Sequence, residues 1–297
     1  MLLIFLVVAA ALVALARGAC PEGGETRYGS HVIPKHVYYT GKTDDNLRNL
    51  TGERGSWPTE YQFHFFDNDD LDSSMRELDA VIPGVYEAFG LLRPWAFKAD
   101  LWRYCVLYAC GGVYVDSKLS LNEPFDEFLW KLGFRPGIRD GPQLFSCRDD
   151  LASESARGRL DCVWQGLLIS EPKNPTLLKA IQFVVAKVRD RWYPTPDLSF
   201  MPWLFLTGPG AIALANQRDW RDHLTLGCRM MYTKKDARGL QDPHLVGDWH
   251  PLNHSSVFND DLARASFVAD PNLHESQRTN NYGRLFKSHL VYADDVL

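Results

Sequence analysis

Apolar residues along this chain recur in two rhythms, and the rhythms alternate. Short apolar and β-branched runs at 33–39, 61–66, 143–147 and 163–169 read as strands bounded by turn-forming residues. Between them, spacings of three and four predict helices over 43–50, 70–80, 82–90, 94–110, 175–190 and 209–217, with Pro175 suited to a first helical turn. Alternation of this kind predicts an α/β domain with a mainly parallel central sheet flanked by helices on both faces. The last part of the chain mixes short apolar runs with many Asp, His and Asn, and pattern alone assigns it little structure.

The segment Arg93–Ser120, RPWAFKADLWRYCVLYACGGVYVDSKLS, carries the strongest signal. It reads as an amphipathic helix opened by Pro94, a stop at Gly111, a strand over Val113, Tyr114 and Val115, and an aspartate where the strand runs out. Asp116 therefore falls at the carboxyl end of a strand, the edge where open α/β sheets bind ligands. Asp100 and Arg103, three apart, share one face of an otherwise apolar helix, so either they pair structurally or something else satisfies them. Asp67, Asp69 and Asp70 read as a loop and a helix N-cap. A calcium loop is disfavoured there, since the required Gly and distant Glu are missing.

The Asp-x-x-Arg-Tyr helix followed by Gly-Gly-apolar-Tyr-apolar-Asp resembles glycosyltransferase family 32, the DXD-type sugar transferases that include yeast outer-chain mannosyltransferases and, more distantly, the glucosylating clostridial toxins. Ile33-Pro34-Lys35, the stretch Tyr61–Asp70, the segment Cys162–Leu178 and the turn Thr207-Gly208-Pro209-Gly210 extend the likeness over roughly residues 31–292. The resemblance implies a GT-A-like nucleotide-sugar-binding fold. It also implies transfer of a hexose from a nucleotide sugar to a glycan or glycoprotein hydroxyl, with retention of anomeric configuration. Carried over residue by residue, Asp116 would be the catalytic residue, touching the donor ribose and any metal. Asp100 and Arg103 would reach the sugar hydroxyls, and Gln165 stands where relatives often have Asn in the sugar pocket. Tyr38 and Tyr39 replace the usual His-Gln, and either stack on the nucleotide base or fill the strand.

One departure stands out. The family motif has a second acid two residues after the first, and this chain has Asp116-Ser117-Lys118. Either Lys118 sets its ammonium against the donor phosphates, in place of the Mn2+ or Mg2+ that the second acid would hold, or the site binds without catalysing. The alternative to an enzyme is thus a lumenal nucleotide-sugar- or carbohydrate-binding protein with a degenerate motif. His250 and His254, near Asp248, are candidates to complete a metal site, against the plainer reading of surface histidines.

Composition narrows the partners. A net charge of −5 and the lack of a basic run exclude a nucleic-acid footprint. Residues 2–16 are unbroken apolar chain, short against the about 20 residues of a spanning helix, and read as a signal peptide (1–18) or a short signal anchor. A linker or stem over 19–30 and a transferase domain over 31–297 follow. Both readings of the leader place the domain in the secretory lumen, with the Golgi first and secretion second, and the anchor is the only membrane contact expected. Six cysteines suit that oxidising compartment. Cys147 with Cys162, and Cys20 with Cys228, are candidate pairs, whereas Cys105 and Cys110 read as buried small hydrophobes. Asn49 and Asn253 sit in glycosylation acceptor triplets.

Overall fold

The computed structural model describes residues 20–44, 57–117, 119–121, 124–134, 141–217, 223–232, 255–258, 265–269 and 282–294. A short hairpin, β1 (Glu25–Tyr28) and β2 (His31–Pro34), precedes the sheet. β3 (His36–Thr40) and β4 (Gln62–Phe66) are parallel neighbours, and three helices follow: α1 (Asn68–Leu78), α2 (Val85–Leu91) and α3 (Trp95–Cys110). α3 runs into β5 (Gly112–Val115), which pairs parallel with the other side of β3. Then come β6 (Leu119–Leu121), α4 (Phe125–Leu132), β7 (Leu144–Asp149), α5 (Asp150–Ser155) and β8 (Val163–Ser170). The chain continues through α6 (Pro175–Arg189), α7 (Pro209–Ala215), β9 (Leu224–Tyr232), β10 (Ser255–Phe258), β11 (Ala265–Ala269) and α8 (Tyr282–Lys287).

Nine strands form one sheet in the order β4-β3-β5-β8-β7-β9-β10-β11-β6. The α/β class with flanking helices is as expected, but the sheet is mixed rather than mainly parallel. β8 runs antiparallel to both β5 and β7, and β10 antiparallel to β9 and β11. Period-two patterning is the same for either direction, and the connections decide. Between β7 and β8 only the six-residue α5 intervenes, and the chain turns straight back. Residues 25–28, inside the expected linker, are a strand of the hairpin.

Alternate side chains of the central strands feed two cores. Tyr38, Tyr114 and Leu168 pack with α1, α2, α3, α6 and α7 on one face, while Val37, Tyr39, Val113, Val115, Leu167 and Ile169 pack with α4 on the other. α1 begins at Asp67, whose carboxylate accepts from the Asp69 and Asp70 amides in a capping box, as its sequence predicts. α3 is not amphipathic: it is buried around most of its circumference, which makes it the central helix of its layer. It stops at Gly111 (φ +68), where a Cβ would meet Pro172 Cδ at 2.7 Å. Gly112 (φ +97) follows, where a Cβ would lie 2.7 Å from the His36 carbonyl oxygen. The glycine pair thus lets β5 start tight against β3.

Cysteine pairing differs from expectation. Cys20 bonds to Cys110, tying the start of the described chain to the end of α3 across 90 residues, a closure contributing about 2–4 kcal/mol. Cys147 is disulfide-bonded too, but Cys162 is a free buried thiol, so no 147–162 staple forms. Cys147 belongs to the α4-side core and Cys162 to a small satellite core with Ala152 and Phe205, so adjacency on paired strands does not bring them together. Cys105 is a buried free thiol, as read from the sequence.

His64 Nε2 and His36 Nδ1 lie 3.0 Å apart, and the His64 ring stacks on Tyr38. Burial first, then the facing His36, pushes the His64 imidazole down to about 4. The unfolded chain takes up that proton near 6.5 and the folded chain only near 4, so this contribution to stability is complete above 6.5 and is lost as pH falls toward 4. The thermal midpoint is expected to drop across this window in the wild type and to drop less in His64→Gln. Equal slopes in melts at stepped pH would count against the assignment.

Candidate active site

α3 points Asp100 and Arg103 at the same place because they are three residues apart. Asp100 is fully buried and Arg103 is 6% exposed. Arg103 Nη2 lies 3.1 Å from Asp100 Oδ1, and Thr207 Oγ1 donates to Asp100 Oδ2 at 2.9 Å. Arg103 Nη1 donates to the Gln165 carbonyl at 2.9 Å, and its guanidinium lies over the Tyr114 ring, 4.3 Å from the centroid. Arg103 is thus held flat by stacking while its fork is aimed by hydrogen bonds, a use that lysine cannot match.

The turn into α7 closes the buried side. The Thr207 carbonyl accepts from Tyr104 Oη at 2.8 Å and from Gln165 Nε2 at 3.0 Å. One threonine therefore receives or gives bonds to α3 twice and to β8 once. On the open side stands Asp116, whose side chain is 25% exposed. Its backbone N–H donates to the Gly166 carbonyl and its carbonyl accepts from Leu119, so its main chain is fixed at the strand end. Tyr114 Oη donates to Asp116 Oδ1 at 3.0 Å and also bonds Thr40 at the end of β3. Arg103 Nη1 is 3.9 Å from Asp116 Oδ1. Burial raises the phenols of Tyr104 and Tyr114, Asp100 adding to the first and Arg103 opposing in both, so each remains a neutral hydroxyl donor.

Charge therefore runs outward from the core, from Asp100 through Arg103 to Asp116. The three sum to −1, which disfavours an anionic diphosphate beside Asp116 unless positive charge arrives with it. Mg2+ is commonly held by one or two carboxylates together with substrate phosphates. Asp116, a partly exposed carboxylate, would be the protein's ligand to a cation shared with the donor; Mn2+ takes oxygen ligands of the same kind. Among the described residues no group of three His, Cys, Asp or Glu side chains could hold a metal by itself.

Of the residues singled out in the sequence, Asp100, Arg103, Asp116 and Gln165 come together here. Tyr38 and Tyr39 do not present open stacking faces: both are 1% exposed, on opposite faces of β3, and Tyr39 Oη bonds Asp44. Lys118, His250 and His254 lie outside the described residues. Thr207 and Tyr104 were not singled out, although the Thr-Gly-Pro turn and the Asp-x-x-Arg-Tyr pattern contain them.

Comparison with known proteins bears on part of this region, since the family match below includes Asp100, Arg103 and Asp116. The family described as "Glycosyltransferase sugar-binding region containing DXD motif" matches residues 55–131. The chain is similar to the initiation-specific alpha-1,6-mannosyltransferase of Saccharomyces cerevisiae, 25% identical over 52% of this chain and 39% of that protein. It is also similar to the enzyme of that name from Candida albicans, 26% identical over 54% and 44%. The chain spans less than half the length of either relative. Among solved structures, the PaToxG glycosyltransferase aligns at 11% identity and a TM-score of 0.38, covering 71% of this chain and 75% of that one.

Proposed function

We propose that this protein works as a DXD-motif sugar transferase of the glycosyltransferase family 32 type, transferring a hexose from a nucleotide sugar to a hydroxyl of a glycan or glycoprotein. The observation that carries the reading is the Asp100–Arg103–Thr207 constellation opening onto Asp116. A hydroxyl-rich sugar needs an acceptor and a forked donor fixed on rigid elements, and a buried, bonded pair on a central helix supplies both. Asp116 stands where the crevice between β3 and β5 opens at their carboxyl ends. That is the point where the chain, having placed β4 on one side of β3, crosses to place β5 on the other, and such switch points are where α/β sheets take nucleotides.

In this reading Asp116 contacts the donor ribose and, with the diphosphate, any bound Mg2+ or Mn2+, which would supply Lewis-acid charge neutralisation. Asp100 and Arg103 orient the hexose, and Gln165 and Thr207 hold the pair in register. Retention fits a front-face route in which the departing diphosphate oxygen accepts the acceptor's proton. The protein's share is then positioning and electrostatics rather than a nucleophile. The Cys20–Cys110 bond supports work in the oxidising secretory pathway, the Golgi lumen foremost. Among the described residues no helix is long and apolar enough to cross a membrane, and the leader lies outside them.

Nucleoside diphosphate release from a panel of nucleotide sugars, with Mn2+ and with EDTA, tests this reading. Release with at least one donor is expected. Release that survives EDTA assigns the cation's work to protein charge such as Lys118, and release lost with EDTA assigns it to a metal at Asp116. Binding of a donor with no release under either condition would replace transfer with the binding-protein reading.

A further inference from the structure

Over Leu144–Cys147, β7 is fully buried, and Ser146 is its one polar residue there. A hydroxyl out of water is costly unless it is bonded, so its partners show what it is for. Ser146 Oγ stands 2.8 Å from the Trp164 carbonyl oxygen and 2.8 Å from that of Leu167, both on the neighbouring strand β8. A carbonyl only accepts, so the one hydroxyl proton lies between the two.

Those carbonyls are the two ends of an excursion in β8. Register pairs Ser146 with Leu168 and Arg148 with Val163, so one residue of β7, Cys147, faces four of β8, Trp164 to Leu167. Bulges gather beside active sites because they re-aim the groups they carry. Here the inner two carbonyls are the re-aimed ones. The Gln165 carbonyl accepts from Arg103 Nη1 at 2.9 Å, and the Gly166 carbonyl accepts from the Asp116 N–H at 2.8 Å. All four carbonyls of the excursion are thus engaged, the outer pair by Ser146 and the inner pair by the site.

The Gln165 side chain extends the same control. Its Nε2 donates to the Thr207 carbonyl at 3.0 Å, and Thr207 Oγ1 donates to Asp100. Arg103 and Asp100 are therefore both reached from one residue of the excursion. On the α4 side, the Trp164 ring lies against Gly166, where an added Cβ would come 2.5 Å from the indole Cζ2.

We infer that Ser146 is a positioning residue of the site. By bonding both ends of the β8 excursion it sets the Gln165 and Gly166 carbonyls, and through them the Arg103 fork and the strand end at Asp116. Its own hydroxyl bonds main chain only. Its effect on turnover rests on the transferase reading above, whereas its effect on Arg103 rests on geometry alone.

Ser146→Ala removes the hydroxyl and Ser146→Thr returns it. Ser170→Ala is the control, because Ser170 is equally buried at the far end of β8 and donates to the Glu171 carbonyl at 2.7 Å. With a donor that the wild type turns over, Ser146→Ala is expected to lower kcat for nucleoside diphosphate release about tenfold or more. The donor KM should stay within about threefold, as for a donor that binds but is misaligned. Ser146→Thr should recover most of that kcat, and Ser170→Ala should stay within about twofold of wild type even where its melt falls as far. Unchanged kcat in Ser146→Ala would overturn the inference, as would an equal loss in Ser170→Ala. So would a threonine variant that melts like wild type yet stays as slow as the alanine.

The Arg103 guanidinium gives a reading without turnover. Its Nη–H signals are assigned in 15N-arginine-labelled protein by their loss in Arg103→Lys. They are expected to exchange with water at least about tenfold faster in Ser146→Ala than in wild type or Ser170→Ala, since the Gln165 carbonyl is no longer fixed beneath them. Equal exchange in all three proteins would overturn the link between Ser146 and Arg103. Absence of release by the wild type with every donor would instead count against the transferase reading, and the exchange arm would still decide that link.

Discussion

Asp116→Asn is expected to reduce nucleoside diphosphate release by about 10³-fold or more while leaving the fold intact. The substitution keeps the size and an acceptor oxygen for Tyr114 Oη, and it removes only the charge. The fold has little stake in that charge, because Asp116 is held by its own N–H on Gly166 and its carbonyl under Leu119. Thermal melts should therefore agree with wild type within about 0.5 kcal/mol, the range for partly exposed substitutions outside the core. Chemistry has a large stake. Asp116 is the most exposed acid of the cluster and sits at the switch point, where, on the proposed reading, the donor diphosphate would be neutralised and oriented. Undiminished release with the variant would remove Asp116 from the site, and equal loss of stability and activity would make it structural.

Much of this arrangement was legible in the sequence, and the reasons divide cleanly. The helix–glycine–strand–Asp run was legible because each feature is local: a proline entry, a glycine exit at positive φ, β-branched residues, and a strand-end acid. The i,i+3 spacing of Asp100 and Arg103 likewise fixes a shared face without any tertiary knowledge. What spacing cannot say is what that face meets. The partner of Asp100 is Thr207, 107 residues away, and the Arg103 fork is aimed by a carbonyl on β8. The Cys20–Cys110 bond escaped for the same reason, since a cysteine on an apolar helix reads as a small hydrophobe, and the pattern is silent about a distant segment packed against the helix end. Strand direction escaped because alternation has no polarity. β8 therefore read correctly as a strand over 163–169 and incorrectly as one of a parallel set, although its reversal is what sets Gly166, next to Gln165, against Asp116.

Arg103→Met tests what the buried pair is for. It leaves Asp100, wholly out of water, without its ion-pair partner, and loss of about 3–5 kcal/mol is expected in urea or thermal unfolding. The size follows from the stranded carboxylate more than from the lost attraction, so the second substitution is the informative one. In Asp100→Asn/Arg103→Met the stranded charge is gone, the amide still accepts from Thr207, and Met fills much of the volume over Tyr114. Apolar replacement of a buried pair is often neutral or stabilising, so the double variant is expected to regain most of the loss, with a coupling energy of about 2 kcal/mol or more in the cycle. Activity should not return with it. A stable and inactive double variant would mean that the chain carries a charge pair in its central helix for the sugar and not for the fold. A double variant as unstable as the single would mean that Arg103, through Gln165 and Tyr114, holds α3 against the sheet, and that its role at the site is secondary.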